Sequence, residues 1–119
     1  MPNLELPFSI SEYATRLDLV RKSMADNNIE VLFTCDPSNM AWLSGYDGWS
    51  FYVHQGVLIG PEGDPIFWGR KMDAIGATLT CYMNNDRIHG YSDEFVMSDK
   101  HAMLNLSNVI SDYGWSDLR

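Results

Sequence analysis

A dense group of aromatic and polar side chains lies between residues 42 and 55, in the run Trp-Leu-Ser-Gly-Tyr-Asp-Gly-Trp-Ser-Phe-Tyr-Val-His-Gln. If residues 49–55 are extended, one face carries Trp49 and Phe51 and the other carries Tyr52 and His54. One aromatic face can enter a core, but the second needs a subunit or a ligand to cover it. A strand buried on both sides is the structural alternative, and the residues alone favour neither interpretation.

Elsewhere the chain offers little that could catalyse a reaction. The three histidines, His54, His89 and His101, have no i,i+4 partner and share no short motif with Cys, Asp or Glu. We interpret them as surface or partly buried side chains in preference to metal ligands assembled across the fold. Gly-rich phosphate loops and the GxSxG nucleophile motif do not occur in the sequence. No nucleophile, acid–base pair or metal site is therefore predicted within the chain.

Composition narrows the possible partners and the compartment. The chain has 119 residues, enough for one domain, and a net charge of −8. Nucleic acid and anionic membranes are excluded as partners because both require clustered Lys and Arg. The first ten residues do not resemble a signal peptide, and no apolar run approaches the roughly 20 residues of a membrane helix. These features predict a cytoplasmic protein, in which Cys35 and Cys81 are buried free thiols.

The elements that must position these residues alternate between helix and strand. Ser9 and Glu12 form a capping box that predicts the start of a helix, which ends at residues 26–28. The apolar run at residues 29–35 predicts a buried strand, parallel to its neighbour. Residues 36–39 predict a turn, followed by a short helix at 40–43 that stops at Gly45.

The second half of the chain continues this order. Residues 56–59 and 65–68 flank a loop with Pro and Gly and predict a hairpin. Residues 71–79 predict a helix with Met72, Ile75 and Leu79 on one face, residues 87–91 predict a strand, and residues 101–113 predict a helix. The result is a mixed α/β sheet with helices on both faces, whose central strands are expected to contain Val31, Leu32, Phe33, Val57, Leu58 and Ile59. One more strand is expected to follow the helix stop at Gly114.

Three motifs together resemble a known family. Tyr13-x-x-Arg16-Leu17 opens the first helix, and the apolar strand at 29–33 follows. The most specific motif is Asp36-Pro-Ser-Asn-Met-x-Trp-Leu-Ser-Gly-Tyr46. In this order, and with the hairpin after them, they resemble the N-terminal domain of creatinases, prolidases and aminopeptidase P, over nearly the whole chain.

The resemblance implies a ribonuclease-H-like α/β domain, a mixed sheet with flanking helices, spanning residues 1–119. In that family it precedes a "pita-bread" catalytic domain that holds two divalent metal ions through two Asp, one His and two Glu. These residues are not expected in this chain, which should bind no cofactor and hydrolyse nothing alone. The family also implies a homodimer in which this domain reaches the partner subunit's active site and its small-molecule substrate.

Within the family, residues 46–55 are most similar to ectoine hydrolases, which open the cyclic amidine of ectoine. Creatinases place an aromatic residue and then an arginine on this loop to hold substrate in the partner's site. Phe51 matches the aromatic residue, whereas Val53 stands where the arginine would be, which argues against creatine as substrate. The predicted substrate-binding residues, acting in trans, are Phe51, Trp49, Tyr52 and His54. An N-terminal domain of an Xaa-Pro peptidase, or a stand-alone interaction module, remains an alternative.

Overall fold

A β-hairpin forms the centre of the sheet. The computed structural model describes residues 6–48, 53–97 and 101–119. Strand β2 (Gly56–Ile59) pairs antiparallel with β3 (Ile66–Arg70), with Val57 opposite Phe67. Every residue of β2 and the first four of β3 are buried, because helices cover both faces of the sheet. The predicted hairpin is confirmed.

The outer strands complete a four-stranded mixed sheet of order β1-β2-β3-β4. Strand β1 (Leu32–Thr34) is antiparallel to β2, and β4 (Ile88–Tyr91) is parallel to β3. The prediction of a buried, parallel, central strand at residues 29–35 is wrong: β1 is short, half-buried and has one strand neighbour among the described residues. An apolar run indicates that both faces of a strand are covered, but it does not indicate whether the strand has one neighbouring strand or two.

Helices pack on both faces of this sheet, as predicted. They are α1 (Ile10–Asp26), α2 (Pro37–Ser44), α3 (Lys71–Thr80), the single turn α4 (Glu94–Met97) and α5 (Met103–Asp112), with a 3₁₀ turn at Asn85–Arg87. Val57, Ile59 and Phe67 point to one face, in a cluster with buried residues of α1, α2 and α3. Leu58 and Trp68 point to the other face, in a cluster with α5. The sheet therefore separates two hydrophobic cores.

Local signals in the sequence define the first two helices. The Ser9 hydroxyl accepts a hydrogen bond from the Glu12 amide at 3.2 Å, as the capping box predicts. The Asp36 carboxylate likewise accepts from the Asn39 amide at 3.1 Å, so α2 begins at Pro37. The predicted turn at 36–39 is thus the first turn of the helix, because an acidic cap followed by proline at the first helical position starts a helix. Gly45, with φ of +84°, ends α2 as predicted.

Arg16, a residue of the Tyr13-x-x-Arg16-Leu17 motif, has a structural role in the domain. It is only 6% exposed, and its guanidinium donates to the Glu12 carboxylate at 3.1 Å and to the Trp42 carbonyl at 2.9 Å. The guanidinium carbon also lies 4.1 Å from the centre of the Phe8 ring and 5.1 Å from that of Trp42. Arg16 thereby joins α1 to α2, beside a cavity of 330 Å³.

Helix α3 presents an apolar face to solvent. Its buried side chains are Ala74 and Ala77, whereas Met72, Ile75 and Leu79, which share a face as predicted, are each at least 60% exposed. Small residues thus face the sheet and large ones face outward. Within the described ranges, no helix is both long and apolar enough to cross a membrane.

The two cysteines differ in environment. Both are free, but Cys35 is exposed, contrary to the prediction of a buried thiol, because β1 ends one residue before it at an edge of the sheet. Cys81 is fully buried, and burial raises the pKa of its thiol to about 12. Cys81 therefore packs as a small hydrophobic residue.

The C-terminal residue returns to β1. The Arg119 carbonyl accepts hydrogen bonds from the amides of Glu30 at 2.5 Å and Val31 at 3.0 Å. These two amides immediately precede β1. The last residues of the chain thus lie beside the start of the first strand.

His89 on β4 is expected to make the stability of the domain depend on pH. The Nε2 atom of His89 lies 2.9 Å from the Tyr113 hydroxyl. Burial lowers the pKa of His89, and the positive charge of Arg87 lowers it further. The charges of Asp112 and Asp86 raise it, but by less. The unfolded chain therefore binds the proton more readily than the folded one. We expect the free energy of unfolding to fall as pH decreases below about 6.5 towards the lowered pKa of the folded state. Urea unfolding at pH 7.5, 6.5 and 5.5 measures this, and His89→Gln should weaken the dependence; identical profiles would contradict it.

Candidate functional site

The described structure places one of the four predicted substrate-binding residues. Trp49, Phe51 and Tyr52 lie outside the described residues. His54 lies within them, two residues before β2, and its side chain is exposed. The candidate site is therefore built from the residues that flank the aromatic run and from what they contact.

The two flanks of the aromatic run are hydrogen-bonded to each other. The Tyr46 hydroxyl donates to the Gln55 side-chain oxygen at 3.2 Å, and both residues are buried. Burial raises the pKa of Tyr46 to about 12, with a smaller contribution from the negative charge of Asp73. The hydroxyl therefore stays protonated and remains a donor. The Tyr46 amide donates to the Ser44 hydroxyl, which itself donates to the Met40 carbonyl at 2.6 Å. Residues 46 and 55 are thus fixed relative to α2.

His54 is anchored through its backbone. The hydroxyl of Tyr91 donates to the His54 carbonyl at 2.6 Å. Tyr91 is 1% exposed on β4, and its ring lies 4.9 Å from that of Trp68. The hydrophobic core thereby positions the backbone that carries the exposed His54 ring.

His101 lies beside His54, although 47 residues separate them in the sequence. The centres of the two imidazole rings are 4.6 Å apart, and their planes are inclined by 44°. Both side chains are exposed. His101 was not predicted as a site residue, because neither sequence spacing nor a motif connects it with His54.

A second contact fixes the tautomer of His101. The Met103 amide, at the start of α5, donates to His101 Nδ1 at 3.1 Å. A ring nitrogen that accepts a hydrogen bond carries no proton, so the proton of this imidazole is on Nε2. The only sequence signal for this arrangement is a histidine two residues before a helix.

A small cavity adjoins the histidine pair. It has a volume of 170 Å³ and is lined by Phe33, Cys35, Val53, His54, Gln55 and Met103. Its walls combine apolar side chains with an amide, a thiol and an imidazole. This composition suits a small molecule that has one polar end.

A metal centre does not fit the described part of the chain. Over residues 6–48, 53–97 and 101–119, no three His, Cys, Asp or Glu side chains are grouped so that they could hold an ion. The two neighbouring imidazoles, those of His54 and His101, are too few ligands to hold a metal ion. In addition, His101 Nδ1 already accepts a hydrogen bond from a backbone amide. The described residues can contact a ligand, but we derive no metal-dependent step from them.

The fold places the chain in a class of α/β domains found in proline dipeptidases. The structure of a proline dipeptidase from Streptococcus pneumoniae superposes with a TM-score of 0.65 at 13% identity, covering 79% of this chain and 64% of that one. One from Streptococcus agalactiae gives a TM-score of 0.58 at 17% identity, covering 68% of this chain and 59% of that one. The predicted mixed sheet with flanking helices is confirmed.

The sequence defines the family. The model of the creatinase/prolidase N-terminal domain matches residues 16–116, and the chain belongs to this family. It is 53% identical over 119 residues to ectoine hydrolase of Halomonas elongata, covering 98% of this chain and 30% of that protein. It is 39% identical over 107 residues to the uncharacterized hydrolase/peptidase y4tM of Sinorhizobium fredii, covering 88% of this chain and 27% of that protein. The chain thus spans less than a third of the length of these relatives.

Proposed function

We propose that this chain is the non-catalytic N-terminal domain of a metal-dependent C–N hydrolase that acts on ectoine in the cytoplasm. The observation that carries the proposal is the 53% identity to ectoine hydrolase over nearly the whole chain. The chemistry belongs to a catalytic domain beyond residue 119, where we expect two divalent metal ions. The domain described here contributes dimerisation and substrate binding.

The proposal includes a strand after Arg119 that pairs with β1. In support, β1 has a single strand neighbour among the described residues, and the Arg119 carbonyl already accepts hydrogen bonds from the amides that precede it. A chain that continues from this point reaches the open edge of β1 directly. Such a strand would complete the sheet and lead into the catalytic domain.

The aromatic run is proposed to complete the active site of the partner subunit in a homodimer. Phe51 is the residue that matches a substrate contact of the family, and Trp49, Tyr52 and His54 are its neighbours. A flat, conjugated, amidinium-like ligand is attracted to an aromatic wall by about 0.5–2 kcal/mol per ring. An aromatic wall supplied by a second subunit also excludes water from the reacting centre. The hydrogen bond between Tyr46 and Gln55 supports this role, because it fixes both ends of the run on the domain.

The first test is the substrate of the full-length protein. Ectoine and an Xaa-Pro dipeptide are offered in parallel, because hydrolysis of proline peptides is the alternative within the family. We expect hydrolysis of ectoine. Preferential turnover of the Xaa-Pro dipeptide would reject ectoine as substrate, and turnover of neither would reject the hydrolase assignment.

The second test asks whether Phe51 acts on substrate. We expect Phe51→Ala in the full-length protein to lower kcat/KM about 10- to 100-fold and to leave the melting temperature nearly unchanged. A Phe51 that is only a core residue would instead cost about 3–5 kcal/mol of stability. Tyr52→Ala, on the opposite face of the run, is measured in the same way, and the same loss of kcat/KM with little change in melting temperature is expected. Loss of thermal stability in proportion to activity would contradict the proposal.

Mixed dimers test whether the run acts across the subunit boundary. When a Phe51→Ala subunit whose metal site is inactivated is paired with a wild-type subunit, the live site receives the altered run and should lose activity. When Phe51→Ala and the metal-site mutation are on different subunits, the live site receives the intact run and should remain active. The opposite pair of results would show that Phe51 acts within its own subunit.

A further inference from the structure

We propose that a second copy of this chain binds to the outer surface of α3 and to the groove between α3 and β4. The outer surface of the helix is formed by Met72, Ile75, Gly76 and Leu79, and we call it, with the groove, the α3 surface. The inference rests on the proposed function in one respect, because it names the interface of the homodimer proposed there.

Three large apolar side chains protrude from α3. Met72, Ile75 and Leu79 are 60%, 63% and 63% exposed, and their spacing of three and four residues places them on one face of the helix. The opposite face already packs on the sheet through Ala74 and Ala77. A helix that is apolar on both faces is typical of one that is enclosed on both sides. The described part of the chain encloses α3 on one side, so a partner is needed for the other.

A groove of 840 Å³ lies beside these protruding side chains. It is bounded by α3 on one side and by β4 on the other, through Met72, Ala74, Ile75, Thr78, Ile88 and Gly90. Strand β4 has one strand neighbour among the described residues, so the groove opens at an edge of the sheet. An apolar ridge and a largely apolar groove therefore lie next to each other on one surface.

Gly76 permits close approach in the middle of this surface. It is exposed and lies on the same face as Met72, Ile75 and Leu79. A Cβ atom at this position would meet nothing within 4 Å among the described residues, so packing inside the domain does not require glycine. Glycine nevertheless destabilises a helix interior relative to alanine. A neighbouring backbone that approaches α3 from outside gives glycine a use here.

Shape and charge favour a second copy of the chain as this neighbour. A two-fold interface uses the same patch on both subunits, so the patch must complement itself. Here the ridge of each copy can enter the groove of the other. The chain has a net charge of −8, so two copies repel each other in general. The charged side chains that line the groove are Lys71 and Asp93, whose charges cancel, and two copies can meet there with little repulsion.

The segment that follows Arg119 is a less suitable occupant. Arg119 lies beside the start of β1, at one edge of the sheet. Helix α3 packs on β3 and β4, at the other edge. A strand that continues from Arg119 along β1 therefore begins on the far side of β2 and β3 from the groove.

The experiment measures the dissociation constant of the full-length dimer by sedimentation equilibrium. In Leu79→Glu a two-fold interface would enclose a carboxylate in each of its halves, so we expect the dissociation constant to rise about 100-fold or more. Ile75→Glu should have the same effect. Both positions are 63% exposed, so both variants should fold, which far-ultraviolet circular dichroism checks. Leu19→Glu is the matched control, because Leu19 is 59% exposed on α1 and does not line the groove. It should leave the dissociation constant within about 2-fold of the wild-type value.

The other outcomes separate this inference from the proposed function. An unchanged dissociation constant in Leu79→Glu, or an equal rise in Leu19→Glu, would overturn the inference and leave the proposed homodimer to form through another surface. A lower melting temperature of Leu79→Glu with an unchanged dissociation constant would also overturn it, and would indicate that the segment after Arg119 covers α3. A wild-type protein that sediments as a monomer would overturn both the inference and the homodimer, whereas the substrate is decided separately by hydrolysis of ectoine.

Discussion

Replacement of Trp68 by alanine is expected to remove a large part of the stability of the domain. Trp68 lies on β3 and is fully buried. Its ring contacts those of Phe33 and Tyr91, with centres 6.0 and 4.9 Å away, and its indole N–H donates to the Asn105 side chain on α5 at 3.0 Å. It therefore connects three strands and one helix within the second hydrophobic core.

The expected loss is about 3–5 kcal/mol, the usual cost of truncating a buried tryptophan. Domains of this size have a total stability of about 5–15 kcal/mol, so the variant should be partly unfolded at 37 °C. Urea unfolding followed by far-ultraviolet circular dichroism measures the change.

Trp42→Ala is the matched control, because Trp42 is 41% exposed and its main described partner is the Arg16 guanidinium. It should cost about 1 kcal/mol. Equal losses in the two variants would contradict the assignment of Trp68 to the core.

Replacement of Gly45 by alanine should be the second most damaging change. Gly45 ends α2 with φ of +84°, a backbone conformation that costs an L-amino acid about 1–2 kcal/mol. A Cβ atom at this position would also lie 2.8 Å from the Thr80 carbonyl oxygen and 3.1 Å from the Tyr13 hydroxyl. The backbone of α3 and a buried side chain of α1 would have to move. We expect a total loss of roughly 2–4 kcal/mol.

Gly76 provides the control for this substitution within the same fold. It lies inside α3, and a Cβ atom there would meet no atom within 4 Å. Gly76→Ala should therefore raise the free energy of unfolding by about 0.5–1 kcal/mol, since alanine loses less backbone entropy than glycine in a helix. Thermal and urea unfolding of the two variants should move in opposite directions. Stabilisation by Gly45→Ala would show that the close approach of α2 to α3 is not required.

Local chemistry accounts for the parts of the fold that could be predicted from sequence. The Ser9 cap, the stop at Gly45 and the β2–β3 hairpin each depend on residues within a few positions of one another. The position of β1 in the sheet could not be predicted in this way, because it depends on which distant segment lies beside it. For the same reason Cys35 was expected to be buried and is exposed. Burial is a property of the whole assembly of elements.

The candidate site, like the fold, could be predicted from the sequence only where its signals are local. The composition of residues 46–55 identified an unusual segment, and the family resemblance assigned it a role. The contact between His54 and His101 depends on how α5 packs across the sheet, which no spacing in the sequence encodes. Tyr91, which holds the backbone of His54, is likewise a strand residue whose hydroxyl acts 37 positions away.

The hydrogen bonds from Glu30 and Val31 to Arg119 also affect the order of events during synthesis. They join residues that are 89 and 88 positions apart, whereas the β2–β3 hairpin closes within a loop of a few residues. At roughly 5–20 residues per second, the ribosome needs about 5–20 s to deliver Arg119 after Val31 has been added. During those seconds the amides ahead of β1 have no partner from the C-terminal end, while the hairpin can already form. The amides of Glu30 and Val31 are thus among the last backbone groups of the domain to find their partner, and a nascent chain stalled before residue 119 would leave both of them available to other chains.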